Sequence, residues 1–507
     1  EPLFYDALAS KKENDFYPRF NCKMPFLNGG LFDPILNYNW KNTDIILPNE
    51  LFSNDIKINS VNTGTGILDV FERYNFTVKE DEPLEKEVAV DPEMLGKIFE
   101  NLLEITDRKS KGTVYTPREI VAYICETVLI EYLYSYINKF EPLIKQKMIQ
   151  PTLCGETPPV YEPLSLQSDK KNILIPNEDI ELFVRFGDFI IENDQIIEAK
   201  ILNSKNTKKK FLLPESIRKN VYKLDESLKE VKICDPAAGS GAFMVGMLNT
   251  IIKLRRILHY FICKSDLENL YNLKKETIQQ SIYGVDIDFS AVEIAKLRLW
   301  LSLVVDEVKP TPLPNLDYKI VCGDSLLVLK NEFAIDEQKE VEKLKKLYFT
   351  ENDVTEKLKL KNKIDNLFKI IFENKTDDDR NFDIKIYFSE LFHNDLGKEN
   401  EGFDIIIGNP PYVSNKNVDK NSQTQYQEIY HISDDLYNYF FQKSFGILKT
   451  NGILGFITSN TYLRINSKIN LRELFQENRI IELIKTKNVF ENVMVEPSII
   501  IIQKQNT

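Results

Sequence analysis

Three histidines and six cysteines in 507 residues leave little from which a metal centre or a disulfide framework could be built. The cysteines (Cys22, Cys125, Cys154, Cys234, Cys263 and Cys322) are scattered with no Cys-x-x-Cys pair. That excludes the common thiolate-zinc and dithiol motifs and fits a reducing cytoplasm, with each thiol a small core hydrophobe. His259, His393 and His431 are isolated from one another, so no metal site is expected. Apolar runs of the roughly 20 residues that a membrane span needs are also missing, as is a leader pattern at the start, so no membrane association is expected. Positive charge is scarce: 65 Lys and Arg stand against 77 Asp and Glu, a formal net charge of −12. This argues against a generic nucleic-acid binder, which neutralises phosphates with clustered Lys and Arg. The deficit is uneven, because residues 404–507 carry 11 basic side chains against 10 acidic ones.

What is present is a globular composition, 43% hydrophobic and 28% charged, in a chain longer than one core usually organises. Residues 1–85 mix aromatics, Asn and Gly around the turn signal Leu27-Asn28-Gly29-Gly30-Leu31-Phe32, and read as a helical or irregular connector. Residues 86–507 read as the main domain. Met94, Leu95, Ile98, Phe99, Leu102 and Leu103 recur at helical spacing after Asp91-Pro92, predicting a helix over 91–103, and another is expected over 117–136. The stretch 140–225 reads as an insertion with strand-like pieces at 181–186 and 189–191. A regular alternation follows: strand 231–234, helix from Ser240, strand 282–285, helix 290–305, strand 318–321. Residues 335–380, dense in Lys, Glu, Asp and Leu, read as an inserted surface helical hairpin. Strands at 403–407, 453–457, 480–484 and 498–502 and a helix at 436–448 complete the pattern. Strands alternating with helices predict an α/β protein with a doubly wound, mostly parallel sheet. The chain opens on Glu-Pro-Leu and stops soon after an apolar strand, so both ends read as cuts.

The chemistry lies at the strand ends. Asp235-Pro236-Ala237-Ala238-Gly239-Ser240-Gly241-Ala242-Phe243 follows an apolar strand and opens a helix; Gly239 and Gly241 let the backbone approach a ligand there. With no Gly-Lys-Ser/Thr ending, a phosphate-cradling P-loop is not expected. The next strand ends Gly284-Val285-Asp286-Ile287-Asp288, where a carboxylate can accept from both hydroxyls of a ribose. The third ends Cys322-Gly323-Asp324-Ser325, with Asp324 able to accept from an adenine amino group. Each acid alone could be a helix cap; three in register point to an adenosine-type cofactor. The most specific segment is Phe403-Asp404-Ile405-Ile406-Ile407-Gly408-Asn409-Pro410-Pro411-Tyr412. It delivers an amide oxygen and a proline carbonyl oxygen, both acceptors, beside an aromatic plane. That set clamps a planar NH2 group, and two accepted hydrogen bonds aim the nitrogen lone pair at an electrophile.

In this order the motifs resemble the gamma group of amino-methylating DNA methyltransferases, in the form found in type IIG restriction-modification enzymes, over about residues 85–503; residues 26–32 are also similar to that group. The resemblance implies a class I S-adenosylmethionine-dependent methyltransferase fold. It implies that Thr113, Tyr115 and Thr116 contact the methionine end of S-adenosylmethionine, and that Asp235, Ala237 and Gly239 line its pocket. Asp286 would hold the ribose and Asp324 the adenine amino group. Asn409 and Pro410 would bind the target amino group, with Tyr412 stacking on a flipped base and Phe490, in Val489-Phe490-Glu491, forming the other face. Asp435-Leu436-Tyr437 matches a segment that lines the cofactor or target pocket.

The expected activity is therefore methylation of adenine N6 in double-stranded DNA within a restriction-modification system, by direct transfer from S-adenosylmethionine. No covalent enzyme intermediate is needed, and no cysteine stands in the Pro-Cys context that attack on a cytosine ring would use. Protein glutamine methylation, cytosine-N4 methylation (which Asn rather than Ser at 409 disfavours) and an inactive scaffold of a defence complex are the rival readings. No nuclease signature of paired acids with a nearby Lys is found, and nothing after Thr507 could serve as a target-recognition domain, so both portions are expected from a longer chain.

Overall fold

A computed structural model describes residues 16–19, 21–24, 48–57, 64–73, 75–77, 87–89, 116–138, 174–202, 212–263, 270–304, 313–328, 335–351, 354–372, 382–392, 401–486 and 496–505. The expected helix at 91–103 and the turn at 27–32 lie outside these residues. In the N-terminal region the helix Ile67–Arg73 is pinned by Asp69, which accepts from the Gly66 and Asn54 backbone N–H groups (2.9 and 3.0 Å).

Seven strands form the central sheet: β1 (Ile233–Asp235), β2 (Ile282–Asp286), β3 (Ile320–Cys322), β4 (Phe403–Gly408), β5 (Leu448–Ser459), β6 (Arg479–Lys485) and β7 (Pro497–Gln503). Their order is β6-β7-β5-β4-β1-β2-β3. Pairings among β1 to β5 are parallel, while β7 runs antiparallel to both β5 and β6. The doubly wound, mostly parallel α/β architecture expected from the alternation is thus the one present.

Strand period two divides the core. Ile405 and Ile407 enter one hydrophobic cluster and Ile406 the other; Ile499 and Ile501 part likewise from Ile500 and Ile502. Each face needs a helical layer, since fully burying one such side chain stabilises by ~1.5–3 kcal/mol. One layer comes from α1 (Arg118–Ile137), α2 (Asn177–Leu202), α3 (Val221–Glu230), α4 (Ala242–Cys263), α5 (Leu270–Ser281) and α6 (Phe289–Val304). By length and composition α1 could cross a membrane, but Ile124, Val128, Leu129 and Leu133 are buried against the sheet.

The strand-like readings at 181–186 and 189–191 are corrected: both lie inside α2. Ile180, Phe183, Val184, Ile190 and Ile191 are the buried positions, a period of 3.6 rather than 2. A hairpin of α7 (Ile335–Thr350) and α8 (Val354–Phe372) does occupy the charged stretch, with its own small core of Val341, Leu344, Tyr348, Ile364 and Phe368 closed by Tyr318. On the second sheet face lie α9 (Lys420–Tyr430), α10 (Leu436–Ile447) and α11 (Ile469–Gln476).

Candidate active site

Strand order progresses outward in opposite directions from β1 and β4, parallel neighbours at the centre of the sheet. Open α/β sheets leave a crevice beyond the carboxyl ends of the strands at such a switch point. The ends of β1, β2, β3 and β4 carry Asp235, Asp286, Asp324 and Asn409, and one pocket is lined by all four.

Its floor is the turn from β1 into α4. Gly239 and Gly241 take φ of +50° and +84°, a region that L side chains rarely adopt. Two side chains from neighbouring elements hold the turn: Asp286 Oδ2 accepts the Gly239 N–H at 2.8 Å, and Arg298 Nη1 donates to the Ser240 carbonyl at 2.7 Å. Asp286 Oδ1 accepts from the Asp288 N–H, while Asp288 takes the capping role, accepting from Ser290 and Ala291. Helix capping therefore falls to Asp288, and Asp286 faces the turn. At β3, Asp324 Oδ1 accepts from the Leu326 N–H (3.0 Å) and Oδ2 from the Tyr426 hydroxyl (2.6 Å).

Asp235 is 1% exposed. Its Oδ1 accepts from the Ala237 N–H at 3.1 Å, and its Oδ2 has no hydrogen-bond partner among the described residues. Burial pushes its carboxyl up to about 8, against the Ala237 N–H and with the Asp286 charge adding to the rise. The site therefore contains a carboxyl group that holds its proton far above the usual carboxylate range. Gly408, the last residue of β4, passes so close that a Cβ there would lie 2.6 Å from Asp235 Oδ1.

Beside it the Asn409 amide is oriented by Thr116, at the entry to α1: Asn409 Nδ2 donates to Thr116 Oγ1 at 3.0 Å. The amide's donor end is engaged there, and its carbonyl oxygen is the end that accepts. Pro411 lines the pocket and Pro410 is buried. Tyr412 packs its ring on the core and donates its hydroxyl to the Ile457 carbonyl at 3.2 Å. Burial raises its phenol well above the usual range. Thr116, Asp235, Ala237, Gly239, Asp286, Asp324, Asn409 and Pro411 thus share the pocket lining, whereas Gly241, Pro410 and Tyr412 adjoin lining residues in the chain without lining it themselves. Thr113, Tyr115 and Phe490 lie outside the described residues.

Leu436 lines the pocket as expected for its segment, but Tyr437 turns away and bonds Thr461 through its hydroxyl. Reading the sequence missed Tyr426, Phe440 and Arg298. Nothing in Lys-Asn-Ser-Gln-Thr-Gln-Tyr-Gln-Glu-Ile-Tyr shows an apolar stripe, so α9 and its pocket-facing Tyr426 carried only the Asp419 cap as a signal, the carboxylate accepting from Ser422 N–H at 3.0 Å.

The geometry agrees with sequence relationships. The family described as Eco57I restriction-modification methylase matches residues 280–490, and that described as N-6 DNA Methylase matches residues 194–309. The chain is thus similar to restriction-modification methylases over residues 194–490. A putative type II restriction enzyme and methyltransferase of Methanocaldococcus jannaschii, RM.MjaORFECS2P, is 27% identical over 607 aligned positions, covering 100% of this chain and 44% of the relative. The Escherichia coli type II restriction enzyme and methyltransferase RM.Eco57I is 25% identical, covering 58% of this chain and 27% of the relative. The chain therefore spans less than half the length of these curated relatives. Among solved structures, the type IIL restriction-modification enzyme MmeI in complex with DNA aligns with 83% of this chain and 41% of its own, at 12% identity and a TM-score of 0.45. The sheet of this chain, with helices on both faces, is a doubly wound, mostly parallel α/β sheet.

Proposed function

We propose that this protein transfers a methyl group from S-adenosylmethionine to the N6 amino group of adenine in double-stranded DNA. The observation that carries the proposal is the Asn409 amide, held by Thr116 at the carboxyl end of β4 and beside the pocket that Asp235, Asp286 and Asp324 line. We also infer that residues 86–507 form the methyltransferase domain and residues 1–85 a connector, and that the protein acts in the cytoplasm.

The pocket suits S-adenosylmethionine. A nucleoside with a cationic tail matches carboxyl groups along the floor and the apolar side chains of Ile287, Leu326 and Phe440. The buried Asp235 Oδ2, without a hydrogen-bond partner among the described residues, is a fitting acceptor for the tail. Asp286 would hold the ribose and Asp324 the purine amino group; Thr113, Tyr115 and Thr116 would border the tail. When bound, the cofactor supplies an electrophilic methyl group on a sulfonium.

The Asn409 carbonyl oxygen and the Pro410 carbonyl would accept the two N–H bonds of the target amino group. Accepting both removes lone-pair delocalisation into the ring and aims the nitrogen along the transfer line. Asn409 needs no proton of its own for this; the extra proton on the nitrogen leaves to solvent after transfer. The base must leave the duplex stack for its nitrogen to reach this depth, and Tyr412 with Phe490 would face the flipped ring.

Labelled S-adenosylmethionine incubated with unmethylated genomic DNA, followed by nucleoside digestion, tests the proposal. Label in N6-methyladenine is the expected outcome. Label in N4-methylcytosine, or only in the protein fraction, would replace the substrate assignment.

A further inference from the structure

Helix α9 follows the Asn409-Pro410-Pro411-Tyr412 segment closely and is polar for most of its length; only Ser422 and Tyr426 are buried. Its two tyrosines, four residues apart and so on one face, both reach the loop after β3. Tyr426 Oη donates to Asp324 Oδ2 at 2.6 Å, and Tyr430 Oη donates to the Leu326 carbonyl at 2.7 Å. Both rings rest on Tyr439 of α10, with centroids 5.5 and 5.4 Å away. Tyr426 is 5% exposed and lines the pocket. The helix that leaves the target-amino clamp is thus tied across the pocket to the acid at its purine end.

We propose that Tyr426 is a positioning residue that acts through Asp324, holding that carboxylate in the orientation that selects a 6-amino purine on the cofactor. The inference rests on the proposed cofactor. A hydroxyl donating to a carboxylate at this distance is the short, charge-assisted kind. With Leu326 N–H on one oxygen and Tyr426 on the other, rotation of the carboxylate about its Cβ–Cγ bond is restrained. Burial, followed by the Asp324 charge and this hydrogen bond, holds the Tyr426 phenol well above its ordinary range, so the residue stays a donor across the working pH. An adenine amino group donates to such a carboxylate, whereas the 6-oxo group of hypoxanthine presents an acceptor and is repelled.

Calorimetric affinities for S-adenosylhomocysteine and S-inosylhomocysteine, measured on the whole chain and on Tyr426→Phe, Asp324→Asn, the double variant and Tyr430→Phe, test this. The unaltered protein is expected to prefer the adenosyl ligand by about tenfold to a hundredfold, the range of a hydrogen bond to a charged group. Y426F should lose most of that preference while melting within a few degrees of the unaltered protein. D324N should lose it too, and the double variant should lose no more than D324N alone. Y430F, whose hydroxyl donates to the Leu326 carbonyl rather than to Asp324, should keep the preference even if both ligands bind more weakly. Equal weakening of both ligands in Y426F, or losses that multiply in the double variant, would overturn the role of Tyr426. Failure of the unaltered protein to bind either ligand would overturn the cofactor assignment beneath it.

Discussion

Thr116 and Asn409 lie 293 positions apart in the chain, yet one hydrogen bond between them fixes the orientation of the Asn409 amide. On the proposed mechanism, replacing Asn409 by Ala removes an acceptor needed only as the amino nitrogen becomes tetrahedral. Methyl transfer should fall by at least ~10²-fold, the scale of losing one preorganised electrostatic group, with cofactor affinity changed by less than about threefold; single-turnover assays and calorimetry separate the two. Thr116→Val should slow transfer by a smaller factor, because the amide can then rotate. An N409A variant that methylates at the normal rate would remove this residue from the mechanism.

Asp235 sets a pH dependence at the same scale. Its carboxyl titrates at about 8 in the fold against 3.8 ordinarily, so the folded chain holds a proton there that the unfolded chain has released between those values. Folding stability from this group therefore declines as pH rises through that window. A cationic ligand reverses the preference by favouring the ionised form. Affinity for S-adenosylmethionine should accordingly rise between pH 6 and 8, by up to about tenfold per unit, with a proton released. Titrations in two buffers of different ionisation enthalpy measure that proton; a flat affinity with no release would show that the cation sits elsewhere.

At the scale of elements, the α7–α8 hairpin is docked by Asp317, which accepts from Tyr348 Oη at 2.9 Å and pairs with Lys361 and Lys296 at 3.2 Å each. Burial opposes ionisation of Asp317, but the Lys296 and Lys361 ammonium groups outweigh it and hold the carboxyl at about 2. For a depressed acid the stabilisation is present above the unfolded value of 3.8 and disappears as pH falls towards 2. Hydrogen exchange across residues 335–372 should quicken in that range, and Asp317→Asn should quicken it already at pH 7. Protection that is insensitive to both changes would mean that the apolar contacts of Tyr318, Tyr348 and Phe368 suffice alone.

Close packing of elements also explains Gly408. Any side chain there meets the buried Asp235 carboxyl, so β4 could not deliver Asn409 to the same place. Gly408→Ala should weaken cofactor binding and transfer together, unlike N409A, and the comparison of the two variants in one assay checks it.

For the whole molecule, closure of the sheet depends on its last strand in sequence. All seven residues of β7 are buried and pair with β5, and Ser498 to Gln503 pair on the other side with β6. Ending the chain at residue 496 would expose the edge of β5 and leave β6 with no partner. The truncated chain should show no cooperative thermal transition by circular dichroism; a folded product would mean that β6 can pair with β5 directly.

Motifs at strand ends were legible because their chemistry is local: a turn needing positive φ at Gly239 and Gly241, acids closing β2 and β3, an amide closing β4. The class of sheet followed from alternation of periods two and 3.6, and Ile405 to Ile407 show why, each alternate residue serving a different face. In α2 that same reasoning failed, since Leu182, Phe186 and Phe189 remain exposed and blur the helical period of the buried residues. Other features arose only when distant segments met. Removal of water around Asp235 raises its pKa, Thr116 orients Asn409, Arg298 braces Ser240, and polar α9 brings Tyr426 onto Asp324. Local chemistry determined which groups this protein carries to one edge of a sheet. Desolvation and long-range hydrogen bonds, which exist only after packing, decided how those groups are charged and which way they point.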